Sequence, residues 1–123
     1  MSTTVIDYGS GNLKSAAKAL EIAASNINMK SKIVVTSDPK IIKQSDRIVL
    51  PGQGSFKDCY LGIKKIPGLN ETLNEFVLEK KKPILGICVG MQLFAKTGYE
   101  SEKTEGFGWI DAEVRKINNM KKK

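Results

Sequence analysis

Histidine is absent from all 123 residues of the chain. A site that shuttles protons near neutral pH uses that side chain more than any other, so any hydrolytic chemistry here lacks its commonest general base. The same absence removes the commonest metal ligand, and the two cysteines, Cys59 and Cys88, are far apart with no C-x-x-C spacing, so no metal is expected. Two cysteines are also too few for a disulfide framework, and free thiols are the expectation in a reducing compartment. Long apolar runs are missing: nothing approaches the roughly 18 residues of a membrane-spanning helix. The N-terminus enters Val5-Ile6 without the basic and apolar stretches of a signal peptide. A cytoplasmic location and no membrane partner are therefore expected.

Aromatic residues are sparse at 7%, and none interleaves with the 20 basic residues that produce a net charge of +7. Those lysines and arginines are scattered, apart from Lys80 to Lys82 and Lys121 to Lys123, and neither a zinc-finger spacing nor an RNA-recognition aromatic motif occurs. The charge reads as solvated faces and a basic tail, and no nucleic-acid partner is expected.

What is present is an alternation of β-branched runs and helical stripes. Thr3-Thr4-Val5-Ile6 predicts a strand that stops at the turn formers Asp7 to Asn12, and Leu13, Ala16, Ala17, Leu20, Ala24 and Ile27 recur at helical spacing after it. Lys32 to Thr36 predicts a second strand, Asp38-Pro39 opens a short helix, and Arg47 to Leu50 predicts a third strand. Phe56, Cys59, Tyr60 and Ile63 form a helical stripe that places Cys59 in the core. A further helix is expected from about Leu69 to Lys82, closed by Pro83, which opens a fourth strand. Thr97 to Glu105 reads as a polar loop, and Ile110, Ala112 and Val114 alternate as a strand with one exposed face. This order predicts a single α/β domain with a doubly wound, mostly parallel sheet, its nearly all-apolar strands central.

Three loops then fall at the carboxyl ends of parallel strands, where open α/β sheets place their sites. The first, Asp7 to Asn12, contains Gly9-Ser10-Gly11, but Lys14 stands where a dinucleotide fingerprint needs its third glycine, and no phosphate-binding P-loop spacing occurs. No cofactor is expected. The second, Pro51-Gly52-Gln53-Gly54, has two glycines around one residue, so a peptide unit there can rotate and aim an N–H at a developing negative oxygen. The third is Gly86-Ile87-Cys88-Val89-Gly90-Met91-Gln92, a strand, a sharp turn and a helix with a thiol at the turn. Unpaired N–H groups of the helix beginning there place partial positive charge beside the sulfur. Cys88 is the candidate nucleophile, and the N–H of Val89 with one from Gly52 or Gln53 forms the candidate oxyanion hole.

The Cys88 turn together with Pro51-Gly52-Gln53-Gly54 resembles the class I (triad) glutamine amidotransferases. Asp7-Tyr8-Gly9-Ser10-Gly11-Asn12-Leu13, the Met-Gln ending of the nucleophile motif, and Gly106-Phe107-Gly108-Trp109-Ile110 narrow the resemblance to the glutaminase subunits of imidazole glycerol phosphate synthase, in histidine biosynthesis. That resemblance implies a flavodoxin-like fold and hydrolysis of glutamine to glutamate and ammonia through a Cys88 thioester. It implies oxyanion donors at Gln53 and Val89, and a glutamine pocket lined by Gly52, Gly54, Gly90 and Gln92. It further implies a cyclase subunit as partner in a heterodimer, receiving the ammonia and faced by Asn12. The family completes its triad with a His-x-Glu pair, and no residue here can take the histidine's role. Residues 1–123 are thus expected to be one amidotransferase domain cut short before that segment, with an incomplete sheet. The chain alone is expected to be inactive; the alternative is a non-catalytic relative that binds the cyclase.

Overall fold

The computed structural model describes residues 1–100 and 102–117; the tail Asn118 to Lys123 lies outside the described residues. Four strands, β1 (Ser2–Ile6), β2 (Lys32–Thr36), β3 (Arg47–Gly52) and β4 (Ile84–Cys88), form one all-parallel sheet in the order β2-β1-β3-β4. Helices α1 (Leu13–Asn26), α2 (Pro39–Lys43), α3 (Phe56–Lys65) and α4 (Leu69–Asn74) make the crossovers. Right-handed connections that first run outward from β1 to β2 and then back across it put α1 on one face and the other three helices on the opposite one. The doubly wound α/β arrangement read from the sequence is the one observed.

Of the nearly all-apolar strands expected at the centre, β3 is central and β2 is not. The all-apolar stretch of β2 lies at an edge, with Val35 41% exposed, whereas β1, half of whose visible run is threonine, is buried throughout from Thr3 to Ile6. Threonine is admissible there because its hydroxyls are satisfied: Thr4 shares a hydrogen bond with the Ser45 hydroxyl, and Thr3 meets Ser31 and Arg47. β4 is the other edge, and on the α1 side Leu85 and Ile87 remain 54% and 36% exposed.

The principal core lies between the sheet and α2 to α4, where Ile6, Ile48 and Leu50 meet Ile42, Phe56, Ile63, Leu69, Leu73 and Phe76, all at 1% exposure or less. Each such side chain contributes about 1.5–3 kcal/mol by leaving water. Helix α1, in contrast, buries no residue completely. Its predicted stripe faces the sheet but is only half covered, and Ile27 caps the helix in solvent at 66% exposure.

Helix α4 is continuous with a wider π-helical turn, Glu75–Glu79, closed by the Lys80 N–H on the Glu75 carbonyl at 2.9 Å. After β4 comes a single turn, α5 (Val89–Gln92), much shorter than the helix expected. The segment read as a polar loop is instead a ribbon, β5 (Ala95–Tyr99) antiparallel to β6 (Lys103–Glu105), and β7 (Ile110–Arg115) pairs with β5 in parallel. Its inward positions Ala95 and Thr97 are buried, a period-two pattern too short and too polar to stand out. β7 is exposed on both faces except at Val114. An aromatic stack holds this second sheet to the helices: Phe107 stacks on Trp109 at 4.2 Å and meets Tyr60 of α3 edge-on, while the Trp109 Nε1–H donates to Asn74 Oδ1 at 2.8 Å.

Candidate active site

Cys88 is the last residue of β4 and sits at φ 55°, ψ −125°, a left-handed conformation that costs a non-glycine residue about 1–3 kcal/mol. The neighbouring backbone holds it there. In the parallel register Gly52 lies opposite Cys88, and a Cβ on Gly52 would stand 2.5 Å from the Gly90 nitrogen, while one on Gly90 would overlap the Leu50 carbonyl oxygen. The end of β3 and the start of α5 therefore pack backbone on backbone, and the turn cannot relax into that space. Cys88 is exposed, and it lines a cavity of ≈ 530 Å³ with Gly52, Gln53, Gly54, Val89 and Asn12. Because α5 is one turn long, few peptide dipoles align behind the sulfur, and exposure and backbone geometry present it more than a helix dipole does.

The second loop is tied down from the first. Buried Tyr8 donates its phenol O–H to the Pro51 carbonyl at 2.5 Å, and burial pushes that phenol far above its ordinary pKa, so it stays a donor. Ser10 accepts the Gln53 N–H at 2.9 Å and donates to the Gln53 carbonyl at 2.7 Å, and the buried Cys59 thiol donates to the same carbonyl at 3.4 Å. The Gln53 N–H, predicted to face an oxyanion, is thus engaged by Ser10. Substituting Ser10→Ala removes both hydrogen bonds to Gln53 and the contact with the Cys59 sulfur, an expected loss of about 1–2 kcal/mol. Hydrogen exchange at the Gln53 amide should accelerate roughly tenfold, since about 1.4 kcal/mol is a factor of ten. Unchanged protection would show that the loop is held by something other than Ser10.

A second cavity, ≈ 450 Å³, adjoins the first at Gly54 and Val89 and is lined by Gln92, Tyr99, Glu100 and Arg115. Glu100 Oε1 accepts the Phe56 N–H at 2.9 Å at the start of α3, and Glu102 pairs with Lys57. Of the predicted site residues, Gly52, Gly54, Gln53, Val89 and Asn12 are brought around Cys88, and Gln92 lies across Val89 in the second cavity. Gly90 lies buried beneath the turn and lines neither. Asn12 is exposed and caps α1, its Oδ1 accepting the Ser15 N–H at 3.3 Å. Tyr99 and Glu100 were missed because residues 97–105 read as loop, where the alternation Ala95, Thr97, Tyr99 is the one pattern that points to them; Arg115 ends the strand read from Ile110, Ala112 and Val114, and nothing in that alternation marks it as a pocket residue.

Residues 4–122 match the family model described as glutamine amidotransferase class-I. The chain belongs to the class-I glutamine amidotransferase family. It is 50% identical over 124 residues to a protein of Pelagibacter ubique (strain HTCC1062) described as imidazole glycerol phosphate synthase subunit HisH, covering 100% of this chain and 58% of that relative. Proteins of the same description from Brucella suis biovar 1 and Rhodopseudomonas palustris are 49% and 50% identical over 117 residues, covering 95% of this chain and 54% of each. The chain spans about half the length of the curated relatives it matches. Among the described residues, no helix is long and apolar enough to cross a membrane, and no group of three or more metal-ligating side chains forms a cluster. The strained thiol turn and the glycine loop beside it both lie within the matched residues.

Proposed function

We propose that these residues carry the nucleophile, the oxyanion loop and part of the glutamine pocket of a glutaminase, the ammonia-producing subunit of a cytoplasmic imidazole glycerol phosphate synthase. The observation that carries the reading is the meeting of two cavities at Gly54 and Val89. One holds the exposed thiol of Cys88 on its strained turn, the other holds Gln92 and the carboxylate of Glu100. A glutamine lying across that junction puts its side-chain amide at Cys88 and its ammonium near Glu100. The sulfur attacks the amide carbon, the carbonyl oxygen becomes an oxyanion, and its charge is taken by the N–H of Val89 and, once turned from Ser10, that of Gln53. The C–N bond then breaks, the nitrogen leaves as ammonia with an added proton, and water cleaves the thioester to give glutamate and the free thiol. Gly52 and Gly54 leave room beside the sulfur, Gln92 supplies an amide to the amino-acid end, and Gly90 keeps α5 against β3.

The proton that must leave the thiol and reach the nitrogen has no histidine to carry it in these 123 residues. General acid–base catalysis contributes about 10²–10⁴-fold. The purified chain is accordingly expected to release glutamate from glutamine at least about 100-fold more slowly than an intact family member, a coupled glutamate assay being the measurement. Comparable turnover would refute this account of the missing base.

A second reading, a module that binds the cyclase subunit without catalysis, is favoured by the same lack of histidine and by exposed Asn12 on the first loop. Retention of the cyclase by the immobilised chain, lost on altering Asn12, is its expected result. Failure of the two to associate excludes it.

A further inference from the structure

We propose that Arg115 is the residue that recognises the α-carboxylate of the amino-acid substrate and so sets the site's preference for a free amino acid over a simple amide or a peptide-embedded glutamine. The inference rests on the glutaminase reading and adds a determinant to it. Arg115 ends β7 opposite Tyr99 of β5 in the parallel register, which lays its guanidinium against the Tyr99 ring, 4.2 Å from carbon to centroid. Its Nε–H donates to Glu113 Oε1 at 3.0 Å. These two contacts orient the planar group, and its terminal NH₂ groups make no hydrogen bond among the described residues. Arg115 lines the cavity that holds Gln92 and Glu100. A free α-amino acid has one positive and one negative charge on adjacent atoms, and this cavity offers one carboxylate and one oriented guanidinium. The guanidinium fork matches a carboxylate with two parallel N–H···O bonds, a geometry a lysine cannot reproduce. That cavity adjoins the one holding Cys88 at Gly54 and Val89, so a substrate whose α-carbon sits between Glu100 and Arg115 has its side chain directed toward the thiol.

The test uses the purified chain and two chloromethyl ketones of the glutamine skeleton, one with its α-carboxylate free and one with that group converted to an amide, with chloroacetamide as the plain electrophile. Cys88 modification is followed by peptide-mapped mass measurement. The unaltered chain should react at least about tenfold faster with the free acid than with its amide, the scale of one hydrogen bond to a charged group. Arg115→Gln should bring that ratio to about one while leaving the chloroacetamide rate unchanged, because Arg115 is exposed and does not support Cys88. Arg115→Lys should recover only part of it, and Lys116→Gln, altering the neighbouring cation of the same cavity, should retain the full ratio. Each ketone's rate is divided by its rate with a free small thiol. If neither then shows an enhancement over chloroacetamide treated the same way, the glutamine reading fails and the proposal with it. Equal enhancement of both ketones leaves the glutamine reading standing and overturns the carboxylate assignment. If the unaltered chain prefers the free acid and Arg115→Gln keeps that preference, or Lys116→Gln abolishes it, the glutamine reading stands and the assignment to Arg115 is overturned.

Discussion

Chloroacetamide added to the folded chain is expected to alkylate Cys88 at least about a hundredfold faster than Cys59. The difference is one of access. Cys88 ends an edge strand in an open cavity, while Cys59 is 2% exposed, on the inner stripe of α3 beneath the Gln53 carbonyl it bonds. Its sulfur also lies 3.3 Å from the Ser10 hydroxyl, so reagent must wait for α3 and the first loop to separate. A hundredfold ratio corresponds to about 2.8 kcal/mol of opening, well inside the range of sub-global openings in small domains. The measurement is a time course of each cysteine peptide by mass, under native conditions and in denaturant. The two rates should converge when the chain unfolds. Equal rates in the native state would mean that the packing around Cys59 opens freely or that Cys88 is not presented.

Phe56→Ala is expected to cost about 3–5 kcal/mol, a large part of the 5–15 kcal/mol that holds a domain of this size. The ring is 1% exposed, packs in the principal core, and lies so close to β5 that a Cβ on Gly98 would stand 2.6 Å from it. Phe56 is therefore the joint between the two sheets as well as a core residue. The second cavity has Phe56 in its wall, with Tyr99 at the end of the strand it supports and Glu100 just after it, so truncation should loosen the pocket together with the fold. Phe56→Leu should cost less than about 1.5 kcal/mol, because volume is nearly kept. Denaturant melts of the three proteins measure this, and a loss below about 1 kcal/mol for the alanine variant would show that the sheets are held by the Phe107–Trp109 stack instead.

Much of this molecule was legible in its residues, for reasons that differ from element to element. The order of strands and helices through residue 92 followed from β-branched runs and helical stripes, and Cys59 was placed in the core by its spacing from Phe56 and Ile63 alone. The Cys88 turn was readable because glycines on both sides announce a close backbone approach, and the structure shows what they approach: the Leu50 carbonyl and the end of β3. Hydrophobicity placed β3 at the centre of the sheet but preferred β2 to β1 beside it, since a threonine whose hydroxyl is satisfied is buried as readily as valine, and β1 has two. The β5–β6 ribbon was hidden because its buried positions are Ala95, Thr97 and Gly98, which carry little apolar area. Tyr99 and Glu100 went unseen with it. The bond from the Gln53 N–H to Ser10 depends on a side-chain hydroxyl 43 residues away, and no local pattern encodes it.

β4 carries both the exposed thiol of Cys88 and, among the described residues, the unpaired outer margin of the sheet, with Leu85 and Ile87 bare beside it. An open strand margin of this kind is a template for pairing with another chain. The place where another chain can pair and the exposed thiol therefore share one strand. Anything that caps that margin, a solubilising partner or a neighbouring copy in a crowded solution, also stands next to the sulfur and governs what reaches it.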